Sequence, residues 1–346
     1  MIFFLLAIFA VSFAGAKYSG YNKFNTGYLS KDSTNAINGI FVLLVFLKHA
    51  CDQAKLSPGV FDKPYLTFGE NMGQLVVTAF LFYSGFGIMR SIMSKGMPYV
   101  KAIPKNRLLK VLLHFDMAVV VFIAVNLLLK NDMKPLDILL SFVGWSSVGN
   151  SNWYIFAIMA LYIIVYISFT IFKGKIYPSL VLSLALIFGF IALMFAVRQP
   201  AYFYNTLACY GLGMVFGVFK EKIEKVVMKD SLIYISIVAA VFVSFSFLSL
   251  SRHVKTLPHS LWAILFTLLI VLLSMKIKIG NDLLSYFGKR VFSIYILQRI
   301  PMMIFKKIPL IFSNAYIYIL VCFVCTLLAA ELFERLTNSV DKRLFV

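Results

Sequence analysis

The sequence is poor in acidic residues, cysteine and histidine, and it lacks a polar stretch long enough to form a domain. Its 346 residues include 14 Asp and Glu against 33 Lys and Arg, with four cysteines and four histidines. Cys51, Cys209, Cys322 and Cys325 lie within or at the ends of apolar runs, so neither a disulfide framework nor a zinc site is indicated. The absence of a domain-sized polar stretch argues against a separate soluble domain, and the sequence contains no internal repeat or low-complexity segment.

What the chain does contain is apolar sequence along its whole length. Hydrophobic residues make up 61% of it, and the mean hydropathy is +0.89. The apolar runs are roughly 20 residues long and apolar on every face, which is typical of transmembrane helices and not of barrel strands. We therefore predict an all-α, polytopic transmembrane bundle of about eleven helices. The predicted spans are 1–16, 36–51, 73–89, 111–129, 152–172, 177–197, 202–219, 231–250, 259–275, 283–305 and 310–332.

The net charge of +19 is explained by the distribution of the basic residues between the predicted spans. With the N-terminus outside and the C-terminus inside, the inner segments hold 22 of the 33 lysines and arginines. These segments are 17–31, 90–110, 173–175, 220–229, 276–290 and 335–343. This is the positive-inside bias of a plasma-membrane protein, so no nucleic-acid partner is needed to explain the charge.

The first apolar segment has two interpretations. Residues 1–16 are either an additional transmembrane helix or a cleaved signal peptide, and an uncleaved helix keeps the alternation of basic segments intact. We divide the chain into residues 1–34, which comprise this helix and a basic cytoplasmic linker, and a membrane core of residues 35–346. Two shorter features are also interpreted structurally. The run 136–145 predicts a re-entrant or interfacial helix, and Gly213-x-x-x-Gly217 predicts close helix packing.

A polar stripe runs along the second predicted helix, in "NAINGIFVLLVFLKHACD". At about 100° per residue, Asn38, His49 and Asp52 face the same way, and His49 lies beyond the centre of the bilayer. Ionisable residues inside a membrane usually mark a functional site. His49 therefore predicts a proton-transfer group in the bundle interior, although an interfacial, hydrated histidine would have the same spacing.

The third predicted helix ends in "FLFYSGFGI" and leads into a basic inner segment. Tyr83, Ser84 and Gly85 belong to this motif. The basic residues of the following segment could hold the phosphates of a nucleotide-bearing donor, or they could serve membrane topology alone. The candidate phosphate-binding residues are Arg90, Lys105, Arg107 and Lys110.

Four motifs in this order resemble the membrane-bound acyltransferase-3 family, the integral-membrane enzymes that acylate sugars of bacterial surface polysaccharides. They are "NGIFVLLVFLKH", "FLFYSGFGI" with "KNRLLK", "NWYIFAIMALYI" and "YFGKRVFSIYIL", and together they extend from residue 35 to about residue 300. The chain departs from the family pattern at two positions. Asn38 stands where the family usually has an arginine, and Gln298 stands where many members have a second histidine.

The resemblance implies a ten-helix core with both ends inside, which agrees with the charge-based topology if residues 1–16 are an addition. It also implies O-acyl transfer, usually of acetyl from cytoplasmic acetyl-CoA, to a hydroxyl of an extracytoplasmic or lipid-linked glycan. We expect His49 to act as the general base, with Asp52 orienting its ring; an acyl-histidine intermediate is the alternative. Acyl-CoA is then a substrate, and neither a permanently bound cofactor nor a metal is expected.

The acceptor is expected to bind near the outer face. Asn152, Trp153 and Tyr154 lie there in the predicted topology, His259 begins a helix close to that face, and Gln298 occupies the family position described above. A transporter or flippase of lipid-linked sugars is the competing hypothesis, because a bundle with a polar interior also suits that task. It would favour repeated halves and ionisable residues within several spans, whereas here such residues cluster near helix ends.

Overall fold

The computed structural model describes residues 1–54, 62–250 and 256–345. In these residues the chain is a helical bundle with one two-residue strand pair, so the predicted all-α polytopic fold is confirmed. Short 3-10 segments at Gly73–Val77 and Ala201–Phe203 and a π-helical segment at Pro104–Leu109 connect some of the helices. The elements are α1 Ile2–Phe13, β1 Lys17–Tyr18, α2 Lys31–Ala54, α3 Lys63–Met72, α4 Thr78–Lys95, α5 Met97–Ile103, α6 Lys110–Leu128, α7 Pro135–Ser141, α8 Trp153–Ile171, α9 Ile176–Ala196, α10 Ala208–Val227, α11 Ser231–Ser249, α12 Thr256–Lys276, β2 Ile277–Lys278, α13 Asp282–Lys289, α14 Val291–Leu297, α15 Arg299–Phe305, α16 Pro309–Phe312 and α17 Ala315–Leu344.

Eight helical segments of the described chain are long and apolar enough to cross a membrane. They are Lys31–Ala54, Lys63–Lys95, Met97–Leu128, Trp153–Ile171, Ile176–Ala196, Ser231–Ser249, Thr256–Lys276 and Ala315–Leu344. The other three predicted spans have different forms. Residues 1–16 contain the 12-residue α1, residues 202–219 overlap α10, which is charged from Lys220 onward, and residues 283–305 are divided among α13, α14 and α15. The predicted interfacial run 136–145 contains the seven-residue α7.

Contacts between distant segments define two ends of the bundle. At the end that we call the basic end, β1 pairs antiparallel with β2, Arg90 pairs with Glu221, and Lys110 pairs with Asp341. At the opposite end, the Tyr316 hydroxyl donates to Asp62, and Lys306 donates to Gln53. In each of these pairs, both partners belong to segments that the charge pattern placed on the same side of the membrane.

Glycines allow α4 and α10 to pack backbone against backbone. A Cβ atom at Gly85 would lie 2.1 Å from the carbonyl oxygen of Tyr210, and one at Gly213 would lie 2.1 Å from that of Phe82. Gly217 likewise faces the side chain of Met89. The predicted packing role of Gly213 and Gly217 is therefore confirmed.

Glycines also fix the rotation of α2 about its axis. Gly39 faces the backbone of Leu284, and Gly288 of α13 faces the backbone of Asn35. Asn38 and His49 both lie about 100° around the helix from Gly39, on the same side of it. The close contact with α13 thus leaves the polar stripe of α2 facing the bundle interior, where both residues line cavities.

Candidate functional site

Two cavities approach each other from the two ends of the bundle. The His49 cavity, about 490 Å³, opens at the opposite end, and the Arg107 cavity, about 430 Å³, lies toward the basic end. The His49 cavity is lined by Lys48, His49, Asp52, Asn150, Tyr295 and Arg299, among others. The Arg107 cavity is lined by Asn38, Ser84, Arg107, Tyr154, Tyr162 and Tyr295, among others. A third cavity, between α1, α2 and α17, has a wholly apolar lining and offers no polar group to a reactant.

Tyr295 of α14 lines both polar cavities. Its ring centroid lies 6.5 Å from that of His49 and 5.7 Å from that of Tyr154. These two partners belong to different cavities, because His49 lines one and Tyr154 the other. The Tyr295 side chain therefore forms part of the wall that separates the two cavities.

The predicted placement of His49 in a polar interior is confirmed. The ring borders the His49 cavity, and its Nδ1 atom is buried without a hydrogen-bond partner. The Gln298 amide lies close enough to interact with the His49 ring. The Gln298 Oε1 atom is buried, and no contact to it has the geometry of a hydrogen bond. A histidine whose ring borders a cavity can accept a proton from a bound hydroxyl.

The predicted contact between Asp52 and the His49 ring is wrong. The Asp52 carboxylate pairs with the Lys48 ammonium at 2.5 Å, and the two residues are four positions apart in the sequence. The Asp52 side chain is 54% exposed. Lys48 and His49 both lie about one turn before Asp52 on α2, and the carboxylate pairs with the lysine, whose charge attracts it. Asp52 lines the cavity without orienting the catalytic candidate.

Of the four predicted phosphate-binding residues, only Arg107 borders the Arg107 cavity. Its guanidinium donates to the Tyr99 hydroxyl at 3.2 Å. The structure places the other three elsewhere, in contact with residues distant in sequence. Arg90 bonds Glu221, Lys110 pairs with Asp341, and Lys105 lies over the Phe345 ring. None of these three residues lines the Arg107 cavity, so their part in donor binding stays a prediction.

The motif around Ser84 divides into lining and packing residues. Tyr83 and Ser84 both line the Arg107 cavity, and the Ser84 Oγ atom lies 3.1 Å from the Tyr162 hydroxyl. Asn38 lines the same cavity, and its Oδ1 atom is buried without a hydrogen-bond partner. Gly85 has no cavity role, because its missing side chain allows α4 to approach α10.

The predicted acceptor residues are distributed over several places. Asn152 and Trp153 line the His49 cavity, and Asn152 also donates to the Gly144 carbonyl at 2.8 Å. Tyr154 lines the Arg107 cavity instead, because consecutive helical residues point in different directions.

Gln298 neighbours His49 and donates to the Tyr295 carbonyl. His259 lines neither polar cavity and packs against Trp262.

Tyr295 and Arg299 line the His49 cavity although neither was predicted as a site residue. The charge of Arg299 acts on His49. A signal was present, because an arginine directly after "SIYILQ" is an ionisable residue within a predicted span. Tyr295 gave no comparable signal, since tyrosines are common in this chain. In the part of the chain that the structure describes, no cluster of three or more His, Cys, Asp or Glu residues could hold a metal ion.

Comparison with known proteins gives one match. A family model described as an acyltransferase domain matches residues 32–333, which is most of the chain and includes both polar cavities. No curated protein and no solved structure matches the chain significantly.

Proposed function

The chain belongs to the acyltransferase family, and on this basis we propose that it transfers an acyl group from a coenzyme A thioester to a glycan hydroxyl. The acyl group is acetyl in this proposal, and the acceptor is an extracytoplasmic or lipid-linked sugar of the cell surface. The membrane is the plasma membrane, with the N-terminus outside and the C-terminus in the cytoplasm. The basic end then faces the cytoplasm, which agrees with the positive-inside bias of the sequence.

The observation that carries the proposal is the wall between the two polar cavities. A donor that enters from the basic end and an acceptor that enters from the opposite end would meet at Tyr295, because this residue borders both cavities. His49 stands on the acceptor side of that wall and Arg107 on the donor side. This arrangement suits a transferase that joins a cytoplasmic donor to an external acceptor.

The donor side offers groups that suit a coenzyme A thioester. The guanidinium of Arg107 can bind a phosphate of the nucleotide part, as guanidinium groups do through paired hydrogen bonds. Asn38 and Ser84 line the same cavity and carry polar atoms for the rest of the donor. Lys105, Lys110 and Arg90 contribute at most to the positive potential of the basic end.

The acceptor side supplies the base. As the acceptor hydroxyl oxygen attacks the thioester carbonyl carbon, a ring nitrogen of His49 takes the hydroxyl proton. The C–O ester bond forms, the C–S bond breaks, and the coenzyme A thiolate leaves with the electron pair of that bond. The proton held by His49 then passes to the thiolate or to solvent, which restores the neutral imidazole. An alternative course has a ring nitrogen attack first and form an acyl-histidine, which the hydroxyl then cleaves.

Radiolabelled acetyl-CoA and a crude lipid-linked glycan fraction, given to the purified full chain in detergent, test the proposal. We expect label to appear in the glycan and to become releasable by mild alkali, as an ester. The His49→Ala chain serves as the control for contaminating enzymes. Movement of unacylated lipid-linked sugar between the leaflets of a vesicle, without label transfer, would instead establish a flippase.

A further inference from the structure

Of the buried polar atoms of the His49 cavity without a hydrogen-bond partner, three can only donate, and those on His49, Ser151 and Tyr295 can either donate or accept. Three residues that line this cavity have a buried donor without a hydrogen-bond partner, namely Gln74 at Nε2, Asn150 at Nδ2 and Arg299 at Nε. Donors that face a cavity without a protein partner bind water or the acceptor atoms of a ligand, and a ligand that replaces this water without loss must supply acceptors. The ligand of this cavity should therefore be rich in acceptor atoms.

The orientation of the Asn150 amide follows from its other contacts. Asn150 Oδ1 accepts from the backbone N–H of Val148 at 3.1 Å and from the Ser147 hydroxyl at 3.2 Å. The Val148 donor is a backbone amide and can only donate, so the oxygen of Asn150 must face it. The Nδ2 group consequently faces away from this turn as a donor.

The charges of the cavity leave one cation uncompensated. The Lys48 ammonium is paired with the Asp52 carboxylate at 2.5 Å. Arg299 lines the same cavity and makes no ion pair with any residue in the described ranges 1–54, 62–250 and 256–345. A half-buried arginine without a protein counter-ion favours a ligand of the opposite charge.

We infer that the His49 cavity binds an anionic acceptor, whose phosphate or carboxylate group is held by Arg299 with Asn150 as a second donor. The inference rests on the proposed function, which it extends by giving the chemical class of the acceptor. A planar guanidinium and an amide donor that line the same cavity suit the oxygens of either anion. A neutral sugar would leave the charge of Arg299 without a counter-ion.

An anionic acceptor would also assist the proton transfer. The charge of Arg299 acts on His49, so an imidazolium that formed there would be repelled by the guanidinium. An anion seated on Arg299 would offset this repulsion at the moment when His49 takes the hydroxyl proton. The acceptor would thereby supply part of the electrostatic environment that its own acylation needs.

Ligand binding to the purified full chain in detergent tests the inference without any need for turnover. Trp153 lines the His49 cavity, so its fluorescence should report occupancy, and a Trp153→Phe chain identifies its share of the signal. The probes are methyl glucoside as the neutral sugar, glucose 6-phosphate as the phosphate and glucuronate as the carboxylate. We expect one or both anions to bind at least about tenfold more tightly than methyl glucoside, and this preference to fall as salt rises.

Two variants with matched controls identify the residues. Arg299→Gln should remove the preference for the anion, whereas Lys306→Gln should leave it, because Lys306 bonds Gln53 and does not line the cavity. Should Arg299→Gln fail to fold, Asn150→Asp provides a second measurement. It retains the oxygen that accepts from Val148 and replaces the free donor with a carboxylate oxygen, which should weaken anion binding about tenfold or more.

The outcomes separate the inference from the proposed function. Tighter binding of glucose 6-phosphate identifies a phosphate-bearing acceptor, and tighter binding of glucuronate identifies an acidic sugar. If no anion binds above methyl glucoside, or if the preference survives Arg299→Gln, the inference is overturned even where acyl transfer is observed. Conversely, an anion preference that depends on Arg299 supports the site even if the acetyl-CoA assay shows no transfer.

Discussion

The ring of His49 lies 6.5 Å from the ring of Tyr295, measured between centroids, and Tyr295 is the residue that the two polar cavities share. This pair joins the candidate base to the wall between the proposed donor and acceptor sites. The Tyr295 hydroxyl is buried and the ring also packs against Tyr154, so the wall is built from aromatic rings. Aromatic rings at such a point can exclude water from a reactive thioester.

His49→Ala should abolish acyl transfer, since the loss of a general base typically costs about a hundredfold to ten-thousandfold in rate. Folding should change little, because the ring borders a cavity and its removal affects only the neighbouring Gln298 amide. Turnover and thermal unfolding in detergent should be measured on the same preparation. Asp52→Asn is the matched control, because Asp52 pairs with Lys48 and should affect the rate only slightly. Activity of His49→Ala within a few-fold of the parent chain would remove His49 from the mechanism.

Tyr295→Ala should connect the two cavities, because the removed ring borders both of them. Water would then reach the donor, and hydrolysis of acetyl-CoA in the absence of any acceptor should rise. Tyr295→Phe retains the ring, so it should hydrolyse acetyl-CoA in the absence of acceptor no faster than the parent chain. Release of free thiol, followed with a chromogenic thiol reagent, measures this leak. An unchanged rate of acceptor-free hydrolysis in a folded Tyr295→Ala chain would show that the ring does not separate the sites.

Arg107→Gln should raise the KM for acyl-CoA by about tenfold or more, as expected when a charged hydrogen bond to a phosphate is lost. Lys105→Gln removes a charge from the same segment without touching the cavity, so it should have a much smaller effect. High salt should mimic the Arg107 change in the parent chain. Initial rates over a range of donor concentrations distinguish these cases. Equal effects of the two substitutions would mean that the segment acts only through its overall charge.

Gly85→Ala should destabilise the bundle by about 1–3 kcal/mol. The Cβ atom of the alanine would lie 2.1 Å from the Tyr210 carbonyl oxygen and would push α4 away from α10. Gly87 lies on the same helix, and a Cβ atom there would meet no atom within 4 Å, so Gly87→Ala is the matched control. The control should leave stability unchanged or raise it slightly, since alanine favours a helix. Thermal unfolding in one detergent compares the three chains. A Gly85→Ala chain as stable as the control would show that the two helices can separate at no cost.

Single cysteines test the orientation of the bundle. Asp132→Cys should react in intact cells with an impermeant thiol reagent, whereas Lys175→Cys should react only after the membrane is opened. Both positions are exposed in short connections between helices, on opposite sides of the predicted membrane. The parent chain is the control, because Cys51, Cys209 and Cys322 are buried and Cys325 is half-buried. The reverse labelling pattern would invert the proposed sites of donor and acceptor.

The sequence by itself determined the membrane-embedded helical fold, the family and the interior position of His49. Each of these depends on local properties. Apolar run length specifies a spanning helix, and helical periodicity puts Asn38 and His49 on one stripe whatever surrounds them. The motifs around Gly39, Ser84 and Trp153 gave the resemblance that the family match over residues 32–333 confirms.

Only the tertiary structure decided which side chains meet. Periodicity does not fix how a helix is rotated against its neighbours; in α2 and α4 that is set by glycine contacts with segments more than a hundred residues away. Arg107 therefore faces a cavity while Arg90 and Lys110 pair with distant carboxylates. In the same way, Tyr154 borders one cavity and the adjacent Trp153 the other. The shared wall at Tyr295 exists only because α14 packs where both cavities end, and spacing within one helix carries no information about that contact.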